Sequence, residues 1–174
     1  NMHYERFVAH GRREGAMLHG VTPDFINIGT RELEYGRFVA DMDITQKSPV
    51  MVIGTHLRDE LFPDLASAVG QQVRLRGQVY TIVGQLAEIE LMPGARKRHN
   101  WQNRYNYIPA TTAMSRYKGD DDVNEIHVMA DSVEDLPDLV EQIENTLTRT
   151  HRGIKDFEIR TQEERLNELK KLED

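Results

Sequence analysis

The stretch Pro49–Val83 constrains this chain most, because it sets strand, helix and hairpin within one short span. Val50, Met51, Val52 and Ile53 form an unbroken apolar run, which predicts a fully buried strand. Gly54 ends that run, and Thr55 is placed to cap a helix carrying Leu57, Leu61 and Phe62 on one face. Pro63 closes the helix, because a proline pushes the residue before it out of helical geometry. After Gly70, Val73 and Leu75 alternate with polar residues through Gln72–Arg76. A turn at Gly77-Gln78 returns the chain through Val79–Val83. This antiparallel hairpin argues against a purely parallel sheet, so the fold class expected is α+β, with mixed sheets and short helices.

The flanking sequence continues the alternation. Residues 4–9 and Ala16–Val21 predict an opening hairpin around a polar turn at His10–Gly15. Thr22 and Pro23 suit the start of a short helix with Phe25, Ile26 and Ile28, ended by Gly29. Leu33–Val39 reads as a strand interrupted by Gly36, followed by a polar loop with Asp41, Asp43 and Lys47. Asp41 and Asp43 have a spacing that can ligate a cation, but aspartates that close turns are the plainer reading. Further on, Leu86–Met92, Tyr105–Ile108, Glu125–Ala130 and Phe157–Arg160 are strand candidates, and Thr111–Lys118 is a short helix. A longer helix runs to about Arg149, with Leu136, Leu139, Val140, Ile143 and Leu147 on one stripe. Ser132 and Asp135 have capping-box spacing ahead of it, with Pro137 in its first turn. Thr161 can cap a final helix.

Composition narrows the function classes. The net charge of −7, from 22 basic and 29 acidic residues, argues against a nucleic-acid module, which normally carries a basic face. The absence of cysteine excludes disulfides, thiol catalysis and cysteine-based zinc sites. No run approaches the ~18–20 apolar residues of a membrane span. The histidines His3, His10, His19, His56, His99, His127 and His151 show no metal-binding spacing. His56 has no partner spaced for it and reads as a packed or solvated residue. No serine sits on a nucleophile elbow, and Gly54-Thr55 lacks the glycines and lysine of a phosphate-binding loop. No catalytic, metal or cofactor site is therefore expected. The acid run Asp120–Asp122 reads as a solvated turn.

One segment stands apart. Residues 95–104 carry Arg96, Lys97, Arg98, His99, Trp101 and Arg104, with the chain's only tryptophan. Basic residues around an aromatic side chain can mark a contact with anionic lipid or nucleic acid. A solvated loop is the plainer reading of such polarity and length. Arg96, Arg98, Trp101 and Arg104 are the candidate contact residues.

Six short motifs carry a resemblance. Gly20-Val21-Thr22-Pro23-Asp24-Phe25 is followed by Leu33-Glu34-Tyr35-Gly36-Arg37-Phe38 and its acidic pair, then by the central stretch with Val69-Gly70-Gln71. Tyr107-Ile108-Pro109, Ile126–Met129 and the helix ending at His151 complete the order. Over about residues 16–165 this pattern resembles the extracytoplasmic core domain of MacB-type ABC transporter permeases. That group includes macrolide and peptide exporters, lipoprotein-releasing permeases and FtsX-type relatives. The resemblance implies two lobes: residues 1–104 mainly an insert lobe with a mobile loop at 95–104, and 105–160 mainly a porter-like lobe. Residues 161–174 would form a helix leading toward a transmembrane span.

The resemblance further implies an extracytoplasmic domain of an inner-membrane protein, with no cofactor and with ATP hydrolysis on a separate domain or subunit. Its partners would be a second permease copy, the ABC ATPase and an adaptor protein, with no nucleic acid. Its role would be to transmit ATP-driven motion and dock partners or cargo during export of peptides, lipoproteins or amphiphilic drugs. The alternative is a module that holds an amphiphilic ligand between its lobes.

Overall fold

The computed structural model describes residues 2–29, 31–89, 101–118 and 123–164. Contacts divide the chain into two compact units, Asn1–His127 and Val128–Asp174.

The first unit opens with the hairpin β1 (Met2–Ala9) and β2 (Arg12–Val21). Only His10 and Gly11 turn the chain, both at positive φ, so the polar residues Arg12–Gly15 continue β2 instead of forming the expected longer turn. The other strands are β3 (Leu33–Gly36), β4 (Val50–Ile53), β5 (Gln72–Leu75), β6 (Gln78–Leu86) and β7 (Tyr105–Pro109). Their order is β3-β6-β4-β7-β2-β1-β5, and β5 also pairs with β6. Six strands therefore close into a ring, with β3 branching from β6. The length of β6 makes this possible: Gln78–Thr81 pairs with β5, Thr81–Gln85 with β4, and its last residues with β3. The sheet is mixed, since β2–β7 and β4–β6 are parallel and the other pairs antiparallel.

Alternation along the strands decides what each face buries. All six ring strands send residues into one cluster that includes Phe7, Leu18, Ile53, Leu75, Tyr80 and Ile108. Helix α3 (Thr55–Leu61) adds Leu57 and Leu61, and Phe62 follows it. The opposite face of β2, β4 and β7 carries Val21, Val52 and Tyr107, which join Phe38, Val39 and Leu86 in a second cluster. Two short helices, α1 (Phe25–Ile28) and α2 (Asp41–Gln46), pack Phe25, Ile26 and Ile44 onto that second cluster.

Helix α2 replaces the polar loop expected around Asp41 and Asp43. Its formation follows from what Asp43 bonds. The Arg37 guanidinium grips the Asp43 carboxylate at 2.6 and 3.2 Å, and the Ala40 N–H donates to it at 2.9 Å. Burial alone would raise the Asp43 carboxyl, but these donors outweigh it and hold it below the usual carboxylate range. Asp43 is thus committed to the fold as a helix-start acceptor. Among the described residues no group of three or more His, Cys, Asp or Glu could hold a metal ion.

Local details differ from the sequence reading where tertiary contacts intervene. Thr22 and Thr55 do not cap; the residues at those positions are Asp24 and Gly54, with no side-chain cap bond. The β5–β6 turn is made by Arg76 and Gly77, both left-handed, as the twist of a two-residue hairpin requires. Strand β6 runs on to Leu86, and Glu90–Met92 lies outside the described residues, as does the 119–122 turn. After β7 the chain forms α4 (Ala110–Ala113) and a π-helical turn at Met114–Lys118. The buried Thr112 hydroxyl donates to the Ser48 carbonyl at 2.9 Å, tying this helix to the β4 entry.

In the second unit, α5 (Leu136–Thr150) has Pro137 in its first turn, with the Ser132 hydroxyl and the Asp135 carboxylate bonded at 2.7 Å ahead of it. Gly153 ends it at φ 83°, and its N–H donates to the Thr148 carbonyl at 2.8 Å. None of its residues is buried, and Leu136, Leu139, Val140, Ile143 and Leu147 are only half-covered. The segments 125–130 and 157–160, expected as strands, are irregular and have no strand partners among the described residues. Thr161 does cap the next turn: its hydroxyl accepts from the Glu164 N–H at 3.3 Å, while Glu164 accepts from the Thr161 N–H at 2.9 Å.

Candidate contact surface

The candidate contact residues fall in different settings. Arg96 and Arg98 lie outside the described residues. Trp101 starts a 3-10 turn, Trp101–Arg104, that leads directly into β7. The residue is 58% exposed, and its ring meets that of Tyr105 edge-on at 5.1 Å between centroids. The turn is held from beneath by Asn103, which is buried and bonds both backbone groups of Ile89, at 2.9 and 3.2 Å. Arg104 is held sideways: it donates to the Gly15 carbonyl at 3.3 Å and lies 3.5 Å from the Glu14 carboxylate. That carboxylate also meets His56 Nε2 at 2.9 Å. His56, without a partner by sequence spacing, gains one because β2 and α3 pack together. Trp101 is therefore an exposed aromatic side chain on a fixed base, whereas Arg104 positions the turn.

A second feature was not singled out by the sequence. On the sheet face toward α1, His19 of β2 stands opposite Tyr107 of β7 in parallel register. Its ring lies 4.6 Å from Tyr105 and 5.7 Å from Tyr107, centroid to centroid. Phe25 and Phe38 flank Tyr107 at 5.3 and 5.8 Å. Burial pushes the His19 imidazole down to about 4, so it is neutral at pH 7. Burial raises the Tyr107 phenol in the same way. The alternation of Tyr105 and Tyr107 was the available signal; the pairing of β7 with β2 that completes the shelf joins residues far apart in sequence.

Beside the shelf is a cavity of about 280 Å³, lined by His19, Val21, Phe25, Ala113, Met114 and Ile126 among others. Its walls are largely apolar, with polar groups from His3, His19, Glu125 and His127 among them. Among the described residues no helix is long and apolar enough to cross a membrane.

Comparison with known proteins agrees with this architecture. The family described as MacB-like periplasmic core domain matches residues 2–146. The macrolide export ATP-binding/permease protein MacB of Hyphomonas neptunium is 28% identical over 150 residues, covering 86% of this chain and 22% of that protein. The pyoverdine export ATP-binding/permease protein PvdT of Pseudomonas fluorescens is 24% identical over 140 residues, covering 80% of this chain and 21% of that protein. The chain thus spans about a fifth of the length of these curated relatives. Among solved structures, the extracellular domain of the transporter YknZ from Gram-positive bacteria superimposes with a TM-score of 0.74 at 17% identity. That match covers 92% of this chain and 78% of the other. The periplasmic region of MacB from Actinobacillus actinomycetemcomitans gives a TM-score of 0.70 at 17% identity, covering 98% and 73%. Both share the mixed α+β fold, and with the family match across most of its length, this chain belongs to the MacB-like periplasmic core domains.

Proposed function

We propose that this chain is the extracytoplasmic part of an inner-membrane ABC export permease, acting without chemistry of its own. The observation that carries this reading is the family match over residues 2–146. ATP hydrolysis takes place on a cassette domain or subunit elsewhere, and this domain transmits the resulting motion and docks partners or cargo. The closed ring of strands supports a mechanical role, because such a sheet has no free edge within the ring to yield under load. The fixed Trp101 turn supports docking, since an exposed aromatic side chain on a rigid base suits an interface. The partners are a second permease copy, the ATPase and an adaptor protein; the cargo is a peptide, lipoprotein or amphiphilic drug. In the same reading the stretch 105–160 belongs largely to a porter-like lobe, and the half-covered stripe of α5 becomes buried in the assembled transporter.

The cavity of about 280 Å³ favours a second reading, a module that holds part of an amphiphilic ligand.

The docking role is tested by Trp101→Ala combined with Arg96→Gln and Arg98→Gln in the complete transporter. Transport is expected to fall roughly tenfold or more, the scale of losing an aromatic interface anchor. Membrane insertion and the ATPase rate without cargo should be retained. Unchanged transport would remove this loop from the mechanism.

A further inference from the structure

The outer face of the opening hairpin carries a patch whose charge opposes that of the acidic chain. Antiparallel register sets Val8 of β1 between Arg13 of β2 and Arg74 of β5, so the three share one face. The backbones of Arg13 and Arg74 are therefore roughly 10 Å apart, two strand spacings. Arg6 stands on the same face, two residues before Val8 and opposite Gly15. The three arginines are exposed, whereas Phe7, Ala16 and Leu75 at alternate positions are buried inside the ring. Among the described residues none of the three has a carboxylate partner. Strand alternation is the reason. The acids of the hairpin, Glu5 and Glu14, stand on the opposite face, where Glu5 meets Arg76 and Glu14 meets His56.

An aromatic row borders the arginines. Tyr4, Met17 and Tyr105 lie in register across β1, β2 and β7, and Trp101 meets Tyr105 edge-on. Tyr4 lies over Gly15, where a Cβ would collide with its phenol. The bare backbone seats the ring, yet Tyr4 remains 68% exposed. Farther along the same sheet face, α1 and α2 cover Val21, Val52 and Tyr107, whereas the arginines and Tyr4 stay open to solvent.

A guanidinium fork fits a carboxylate through two parallel N–H···O bonds, and arginine and aromatic side chains are enriched where proteins meet. An anionic bilayer also attracts arginines, but it repels a chain of net charge −7. We propose that the face formed by Arg6, Arg13 and Arg74 with Tyr4 docks an acidic segment of a partner protein. The arginines hold its carboxylates, and its apolar side chains lie along the aromatic row. This docking does not depend on the transport role.

The test is a calorimetric titration of the chain at low ionic strength with a capped peptide of alternating glutamate and tyrosine. The same peptide with glutamine in place of glutamate is the comparison. The glutamate peptide should bind saturably, weaken as salt is added, and bind roughly tenfold more tightly than the glutamine peptide. Arg6→Gln, Arg13→Gln and Arg74→Gln combined should weaken binding roughly tenfold, and Tyr4→Ala about fivefold. Lys47→Gln, Arg149→Gln and Arg152→Gln combined remove the same charge from exposed positions elsewhere, and should leave binding within about twofold. No saturable binding of the glutamate peptide would overturn the proposal, as would equal binding of the glutamine peptide. These two results come from the parent chain, so they stand however the variants fold. An equal loss in both triple variants would also overturn it, by reducing the effect to net charge. Cosedimentation with phosphatidylglycerol vesicles, without peptide binding, would replace the protein partner with a membrane and overturn it too.

Discussion

Replacing Asn106 with alanine is expected to destabilise the first unit by about 3 kcal/mol or more. Asn106 is fully buried on β7, and its side chain bonds three separate backbone segments. Its Oδ1 accepts from the Gly54 N–H at 3.0 Å, at the end of β4. Its Nδ2 donates to the Met17 carbonyl of β2 and the Arg104 carbonyl of the preceding turn, each at 3.0 Å. Alanine removes all three bonds, and each buried group left without a partner costs about 1–3 kcal/mol. A water entering the space left behind can recover part of this. Asn106→Leu removes that option by filling the volume, and should cost at least as much. Denaturant unfolding followed by Trp101 emission gives the size of the loss. A change below about 1 kcal/mol in both variants would mean that Asn106 does not hold the β2–β7–β4 junction together.

Gly84→Ala should have a comparable effect by overpacking. A Cβ at this position would lie 2.0 Å from the Arg37 carbonyl oxygen and 3.0 Å from its carbon, both backbone atoms. Neither can swing aside as a side-chain tip would, because the Arg37 N–H is bonded to the Val83 carbonyl at 2.9 Å. Relief requires β3 and the Arg37 segment to move off β6, at an expected cost of about 3 kcal/mol. That movement also pulls Arg37 from Asp43, which adds a pH signature. The Asp43 carboxyl is lower in the folded protein than in the unfolded chain, so its contribution is present above the unfolded value and lost as pH falls through the folded one. The parent should therefore lose this increment on acidification, and Gly84→Ala, which lacks it already, should converge toward the parent in acid. A stability gap that stays constant or widens in acid would separate Gly84 from the Arg37–Asp43 pair.

The two positions show what could be read from residues alone. Val50–Ile53, the α3 face and the β5–β6 hairpin were legible because their signals are local: an apolar run, a helical spacing, a turn. The polar stretch after Val39 reads as a loop in sequence, because the partner that makes Asp43 a helix-start acceptor is Arg37, whose aim depends on the β3–β6 pairing. Segments 125–130 and 157–160 alternate like strands, but alternation supplies only one side of a ladder, and among the described residues no strand pairs with them. At the contact surface, Trp101 could be found from its rarity. Tyr105 and Tyr107 signal only an alternating strand, and His19 could not be placed beside them, because nothing in a linear sequence announces that β2 will lie parallel to β7. Buried polar groups such as Asn106 are invisible for the same reason: their meaning lies in what they bridge.

The central claim, that this is the extracytoplasmic domain of an ABC export permease, is tested most directly by isolating the full-length protein from its native membrane and identifying what accompanies it. The account predicts an ATP-binding cassette, fused or as a separate subunit, together with hydrophobic spans flanking these residues. A full-length protein that is soluble and brings no ATPase with it would contradict the account.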